Sequence, residues 1–390
     1  MNIKSFKLVA AACALILGAS AFFIVIPTAH AEGPYKKPVL YYGLSETPVW
    51  NSNPLMIRQN VDDIYGTETK GIIGIQRALI KTVISAEVSA VRNQYIQSEY
   101  NSTDFYAKSK IERTLQRFSL GLIGSYDHNT TRSSEITTFG QNVGVGRRDA
   151  FTLQPSMAYM ISPRAALGIT GKWMETRYEF PTLTDYGIMS LMPTFRYNLT
   201  PLQTVTIAIQ GQRYIVLENT SQYIDSFGPY LTWDYNFSPT WTLSLSLGGL
   251  RSKSYGSGAD EKWSQNLIYG STLRYNGLRS VTELSISRAR QPYANGTESY
   301  LTSFDAKEIY TVNPNLDFTL KGSYQTANQP AQSTNNLETA WNGGASLDYQ
   351  IGPNWNINAS YKYRQEKLTN HDDEAKQQIV RMGLTYQFGK

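Results

Sequence analysis

His128 and His371 are the only imidazoles after residue 31, and they bound what catalysis this chain could perform. A histidine held against a serine or a carboxylate can act as a general base or activate a nucleophile. His128 follows Ser125 and Asp127, while His371 precedes Asp372 and Asp373. The same neighbours equally describe a rim histidine and a solvated acidic loop. No glycine-rich phosphate loop, metal-ligand spacing or nucleic-acid signature accompanies them, so no enzyme, cofactor or metal is expected. The remaining chemistry is that of charges at alternate positions: Lys172, Arg196, Arg274, Lys321, Lys362, Arg364 and Arg381 against Glu87, Asp127, Asp234, Glu283, Asp317, Glu338 and Asp348.

Those charges need strands to position them, because a period of two sends alternate side chains to opposite faces. From Asn354 to Arg364 every odd position is apolar or aromatic and every even one polar. Leu316, Phe318, Leu320 and Tyr324 likewise oppose Asn315, Asp317, Thr319 and Lys321. Turn-forming pairs recur at Ser162-Pro163, Thr200-Pro201, Ser238-Pro239, Asn276-Gly277, Asn313-Pro314 and Gly352-Pro353, spaced by 38, 38, 38, 37 and 39 residues. Proline cannot donate to a ladder and Asn-Gly suits a two-residue hairpin, so each pair ends a strand. One period therefore holds two long strands, a short turn and a longer loop, the layout of an outer-membrane barrel. A propeller of similar period would need four short strands per unit.

Counting from the turns places strands near 36–45, 66–79, 82–96, 102–114, 117–129, 149–161, 164–179, 186–199, 202–216, 223–237, 240–252, 262–276, 278–290, 299–312, 315–328, 337–350, 354–367 and 375–389. The expected fold is all-β: a transmembrane antiparallel up-and-down barrel of about 18 strands, or 16 if the first two fail. In such a cylinder His128 and His371 stand about five strand steps, or roughly 24 Å, apart, too far to act together.

Composition agrees: 27 Tyr, 14 Phe, 7 Trp and 29 Gly accompany a mean hydropathy of −0.36. Aromatic residues near the turns, among them Tyr197, Trp241, Tyr275 and Trp355, read as a membrane-border girdle. Residues 1–31 read as a secretory signal, with Lys4 and Lys7 before the apolar run Leu8 to Ile26 and Ala29-His30-Ala31 at its end. Cleavage before Glu32 removes 31 of the 390 residues, leaving a barrel over 32–390 that lacks Cys13, the only cysteine, and carries a charge lowered from +5 to +3. An uncleaved anchor is the alternative. The chain is thus expected in the outer membrane of a Gram-negative bacterium, in contact with its lipid.

A barrel this wide encloses a channel. Assigned by parity, its lining charges balance seven against seven; of these Lys172, Arg196, Asp234, Arg274, Glu283, Asp317, Lys321, Asp348, Lys362, Arg364 and Arg381 are the candidate pore-lining residues. A balanced wall gives little net field and suits neutral solutes or a sugar chain. In porins the third loop narrows the bore, which makes the segment from Thr130 to Arg148, with Arg132, Glu135, Arg147 and Arg148, the candidate constriction. An ordinary solvated loop is its alternative.

Ser45-Glu46-Thr47-Pro48, Asn60-Val61-Asp62-Asp63-Ile64-Tyr65 and Tyr126-Asp127-His128-Asn129-Thr130-Thr131 resemble segments of barrels associated with exopolysaccharide biosynthesis. The resemblance implies a conduit for polysaccharide export, joined in the periplasm by a polysaccharide-export protein. A general or sugar-selective porin for uptake of small solutes is the rival reading, and a structural or adhesive barrel the third.

Overall fold

In a computed structural model, residues 38–58, 61–134, 146–256, 263–292, 298–328, 337–368 and 373–389 are described. The candidate signal segment, Glu135 and His371 lie outside them. Eighteen antiparallel strands form one sheet. In chain order they are β1 (Val39–Asn51), β2 (Ile64–Ala78), β3 (Thr82–Tyr95), β4 (Ser102–Thr114), β5 (Phe118–Thr130), β6 (Arg147–Ser162), β7 (Ala165–Tyr178), β8 (Tyr186–Thr200) and β9 (Gln203–Val216). Then follow β10 (Tyr223–Tyr235), β11 (Trp241–Tyr255), β12 (Ser264–Asn276), β13 (Ser280–Pro292), β14 (Glu298–Asn313), β15 (Leu316–Asn328), β16 (Leu337–Gln350), β17 (Trp355–Leu368) and β18 (Glu374–Phe388). Each strand pairs with the next along all or part of its length, and β1 pairs with β18, so the sheet closes on itself. Among the described residues no helix is long and apolar enough to cross a membrane.

The proline turns have a common chemistry. In Ser162-Pro163, Thr200-Pro201, Ser238-Pro239 and Asn313-Pro314 the side-chain oxygen before the proline accepts a backbone N–H two or three residues on, at 2.9–3.3 Å. Proline presets φ while its neighbour closes the turn from its side chain. These short turns gather at one end, since successive hairpin turns alternate between ends, and the longer connections occupy the other. Barrels of this kind put their short turns in the periplasm.

Rows across neighbouring strands show why the two faces differ. Trp355 opposes Tyr386, Ile357 opposes Leu384, Ala359 opposes Met382 and Tyr361 opposes Val380, forming a continuous apolar strip. Leu347, Tyr349, Trp355, Tyr361, Met382 and Leu384 are exposed because lipid, not protein, covers them. The intervening residues Asn358, Ser360 and Lys362 face the bore.

The first strand was expected over 36–45 and instead runs from Val39 to Asn51. Pro48 accounts for the misplacement. It lacks a donor, and the ladder to β18 skips Thr47 and Pro48, but the ladder to β2 continues through both to Asn51 and Ile64. Closure of the cylinder on the other side carries the strand past a residue that would otherwise end it.

Candidate pore

The lumen-facing rows converge on a cavity of about 800 Å³ between β1–β4 and β13–β18. It gathers Glu283, Lys321, Lys362, Arg364 and Arg381 from the expected pore lining. Lys172, Arg196, Asp234, Arg274, Asp317 and Asp348 stand on the same inward face of their strands but outside this cavity. Five of these six sit near the periplasmic ends, where Asp234 accepts from Ser244 at 2.7 Å, Asp317 from Thr311 at 2.8 Å and Asp348 from Asn358 at 2.7 Å. Arg274 approaches Glu283 at 4.0 Å. Glu87 accepts from the Tyr41 hydroxyl at 2.8 Å and lines a smaller recess with Lys70 and Lys108. Glu338 is not lumen-facing. A register shift between Leu337 and Thr339 turns it to pair with Lys367, at 3.5 Å, on the outer face.

The wall is not balanced at mid-bore. Among the described residues, seven cations (Lys70, Arg132, Lys307, Lys321, Lys362, Arg364, Arg381) and four carboxylates (Glu68, Asp104, Glu283, Asp305) line the cavity. Parity counting missed Glu68, Lys70, Asp305 and Lys307 because their strands carry Ile72-Ile73 or Lys307-Glu308, which blur the alternation. Arg381 pairs with Glu68 at 3.1 Å, and Arg364 with Glu366 at 3.0 Å. Glu283 begins a row of the wall directly opposite Lys307, Lys307 lies opposite Lys321, Lys321 opposite Gly344, and Gly344 opposite Lys362. Three ammonium groups therefore share one row of the wall, and among the described residues none has a carboxylate within 4.0 Å.

Three elements from the long-loop end fold inward over this cavity. After β1, Asn53 is buried: its side-chain amide donates to the carbonyls of Ile57 (2.7 Å) and Lys376 (2.9 Å), and its Oδ1 accepts from Ile57 N–H. Gln377 donates to the Asn53 carbonyl at 2.6 Å, and Pro54 reaches the cavity wall. Met56 in this loop holds φ at 51° and is buried, a left-handed backbone fixed by packing. After β5, Arg132 and Ser133 enter the cavity; the Arg132 guanidinium lies 4.8 Å from the Tyr95 ring and donates to the Tyr100 carbonyl. Arg147 pairs with buried Asp104 at 2.9 Å, while Arg148 lies at an inward position opposite Asn129 and Tyr178.

The third element is the upper half of the β13–β14 hairpin, which the sequence did not single out. The β12–β13 ladder ends at Tyr269 and Arg288, and above that pair the strands part. The freed hairpin leans against the inner faces of β9 and β10. There Arg290 hydrogen-bonds Ser226, Gln212 donates to Glu298 at 3.4 Å, and Arg290 and Glu298 form a buried ion pair. Lumen-facing Leu250 and Ile268 are buried at this level.

His128 points to the outer face, where its Nδ1 lies 2.7 Å from Asp149 and Tyr126 donates to the same carboxylate at 2.5 Å. Among the described residues no metal-holding cluster forms.

No family profile and no curated protein matches the chain. Among solved structures it is similar to Pseudomonas aeruginosa OccK2 (OpdF), with a TM-score of 0.52 and 9% identity over 91% of this chain and 98% of that one. It is also similar to the outer membrane protein opdK of the same organism, with a TM-score of 0.51 and 10% identity over 91% and 100% of the two chains. P. aeruginosa OpdO follows, with a TM-score of 0.50 and 11% identity over 90% and 97%. These neighbours overturn the expected resemblance to exopolysaccharide barrels, and with it the support for an export conduit and for a periplasmic export partner. A closed eighteen-stranded barrel with an apolar outer band belongs in the bacterial outer membrane, and these outer-membrane neighbours share its fold.

Proposed function

We propose that the barrel is an uptake channel for small hydrophilic solutes, and that it favours those carrying carboxylate or phosphate. The observation that carries this reading is the row of Lys307, Lys321 and Lys362 in a cavity with seven cations to four carboxylates. A ring or row of one sign within low-dielectric walls concentrates ions of the other sign. The cavity volume, about 800 Å³, suits a small molecule. In this reading Arg132, Arg147 and Arg148 belong to the narrowing of the bore, together with the β13–β14 hairpin. The paired charges at the periplasmic end give weak, reversible hydrogen bonding on the way out.

Planar-bilayer recordings under a KCl gradient provide the test. The wild type should prefer chloride. Replacing the three lysines by glutamine (K307Q/K321Q/K362Q) should lower the anion-to-cation permeability ratio about tenfold, the effect of a few kT of local potential. A channel that is unselective, or whose ratio survives the triple substitution, removes the proposal.

A further inference from the structure

The lipid-facing wall is apolar on β9 and β11 and polar on β1 to β3. At membrane depth the outward residues of β9 are Val205, Ile207 and Ile209, and those of β11 are Leu243, Leu245 and Leu247. On β1 they are Tyr42, Leu44, Glu46, Pro48 and Trp50. Tyr42 lies 5.4 Å from Phe388 at the periplasmic girdle, and Trp50 donates to Asp63 at the other border. Glu46 is four residues from each of these rings, about 13 Å along the strand and about 10 Å along the membrane normal. An exposed carboxylate therefore stands near the middle of the apolar band.

Register sets further polar groups beside it. Thr69 of β2 lies opposite Glu46, and Arg92 of β3 lies opposite Thr69. The Thr69 hydroxyl donates to the Glu46 carboxylate, which can accept more bonds than this one. Arg92 is exposed on the same face. Among the described residues no cation lies within 4.0 Å of Glu46, and no carboxylate within 4.0 Å of Arg92. Thr67 and Gln94, opposite each other, extend the polar area toward the outer surface. Glu308, also outward, differs in depth: it stands one outward position above Tyr310 of the girdle and accepts from Thr282. Beside Glu46 the ladder from β1 to β18 skips Thr47 and Pro48, so the closing seam of the cylinder is least knit at this place.

A carboxylate at mid-bilayer calls for a counter-charge, and lipid headgroups stay at the borders. A second copy of the chain carries the counter-charge at the right depth. Glu46 and Arg92 are two strand steps apart, about 10 Å, and strand tilt puts Arg92 about 6 Å nearer the outer surface. A two-fold axis along the membrane normal at Thr69 sets Glu46 of each copy against Arg92 of the other, within the reach of an extended arginine. Such a patch is self-complementary, as a two-fold contact requires. We propose that the outer face of β1–β3 is the interface of a homodimer, held by two Glu46–Arg92 pairs related by the axis. The guanidinium suits a carboxylate in a site without water, and the partner also covers the seam at Pro48.

Sedimentation of the refolded full-length barrel in density-matched detergent tests the assembly. The wild type should sediment as a dimer. E46Q and R92Q should each raise the dimer dissociation constant about thirtyfold or more, because either change breaks both pairs. I207A, on the apolar wall of β9, should leave it unchanged. In native outer membranes, oxidation should link T69C into a disulfide dimer, since this residue lies at the axis, while the wild type and L247C should stay unlinked. A monomeric wild type, whether bare or holding lipid or another protein, would overturn the interface, as would a trimer or larger ring. So would a dimer indifferent to E46Q and R92Q, an equal loss with I207A, or T69C that does not cross-link.

Discussion

Asn53 shows how much one buried amide can hold. It joins its own loop to β18 through the Ile57 and Lys376 carbonyls, and Gln377 returns a bond to its backbone. In Asn53→Ala the two carbonyls and the Ile57 N–H lose their partner, a local loss of about 2 kcal/mol or more. The expected result is faster hydrogen exchange over 52–58 and higher, noisier single-channel conductance, with the barrel's unfolding transition little changed. The role of Asn53 was not legible beforehand, because an Asn in a polar loop looks solvated until the fold brings Lys376 beside it. Lys321 and Lys362 could be read from parity alone. Their row with Lys307 could not, since it depends on register across four strands and on β14, where Lys307 and Glu308 place charge on both faces.

The strands were legible because proline turns carry their own chemistry, and the limits of β15 to β17 follow directly from Pro314 and Pro353. The parting of β12 and β13 left no such trace. Residues of the upper β13–β14 hairpin keep a strand-like alternation, and only the end of their ladder at Tyr269 and Arg288 shows them turning inward. The hairpin is latched by Arg290 and Glu298, both nearly inaccessible to solvent. Removing one member of such a pair strands the other charge, at a cost of about 3–5 kcal/mol. Glu298→Ala should therefore release the hairpin from Gln212 and Ser226, raising mean conductance and adding slow open–closed transitions. If conductance and noise match the wild type, the hairpin does not narrow the bore.

At the scale of the whole cylinder, stability is set by which face meets lipid. Leu247 is 54% exposed on that face, midway up β11. Leu247→Arg should destabilise the barrel by about 2–4 kcal/mol in vesicles, measured by reversible urea unfolding, as expected for a cation near the bilayer midplane. A second whole-chain expectation concerns export: intact-mass analysis of the outer-membrane form should find Glu32 at its N-terminus and no cysteine. From Ser162-Pro163 onward the strands come as hairpins of 37 to 39 residues, each ended by a short turn, and the earlier strands join the same closed sheet in antiparallel pairs, so the bore is quantised. Gain or loss of one hairpin changes the strand number by two and the diameter by about a ninth. Intermediate calibres are closed to such a lineage, and finer adjustment of what passes is left to the segments folded into the mouth.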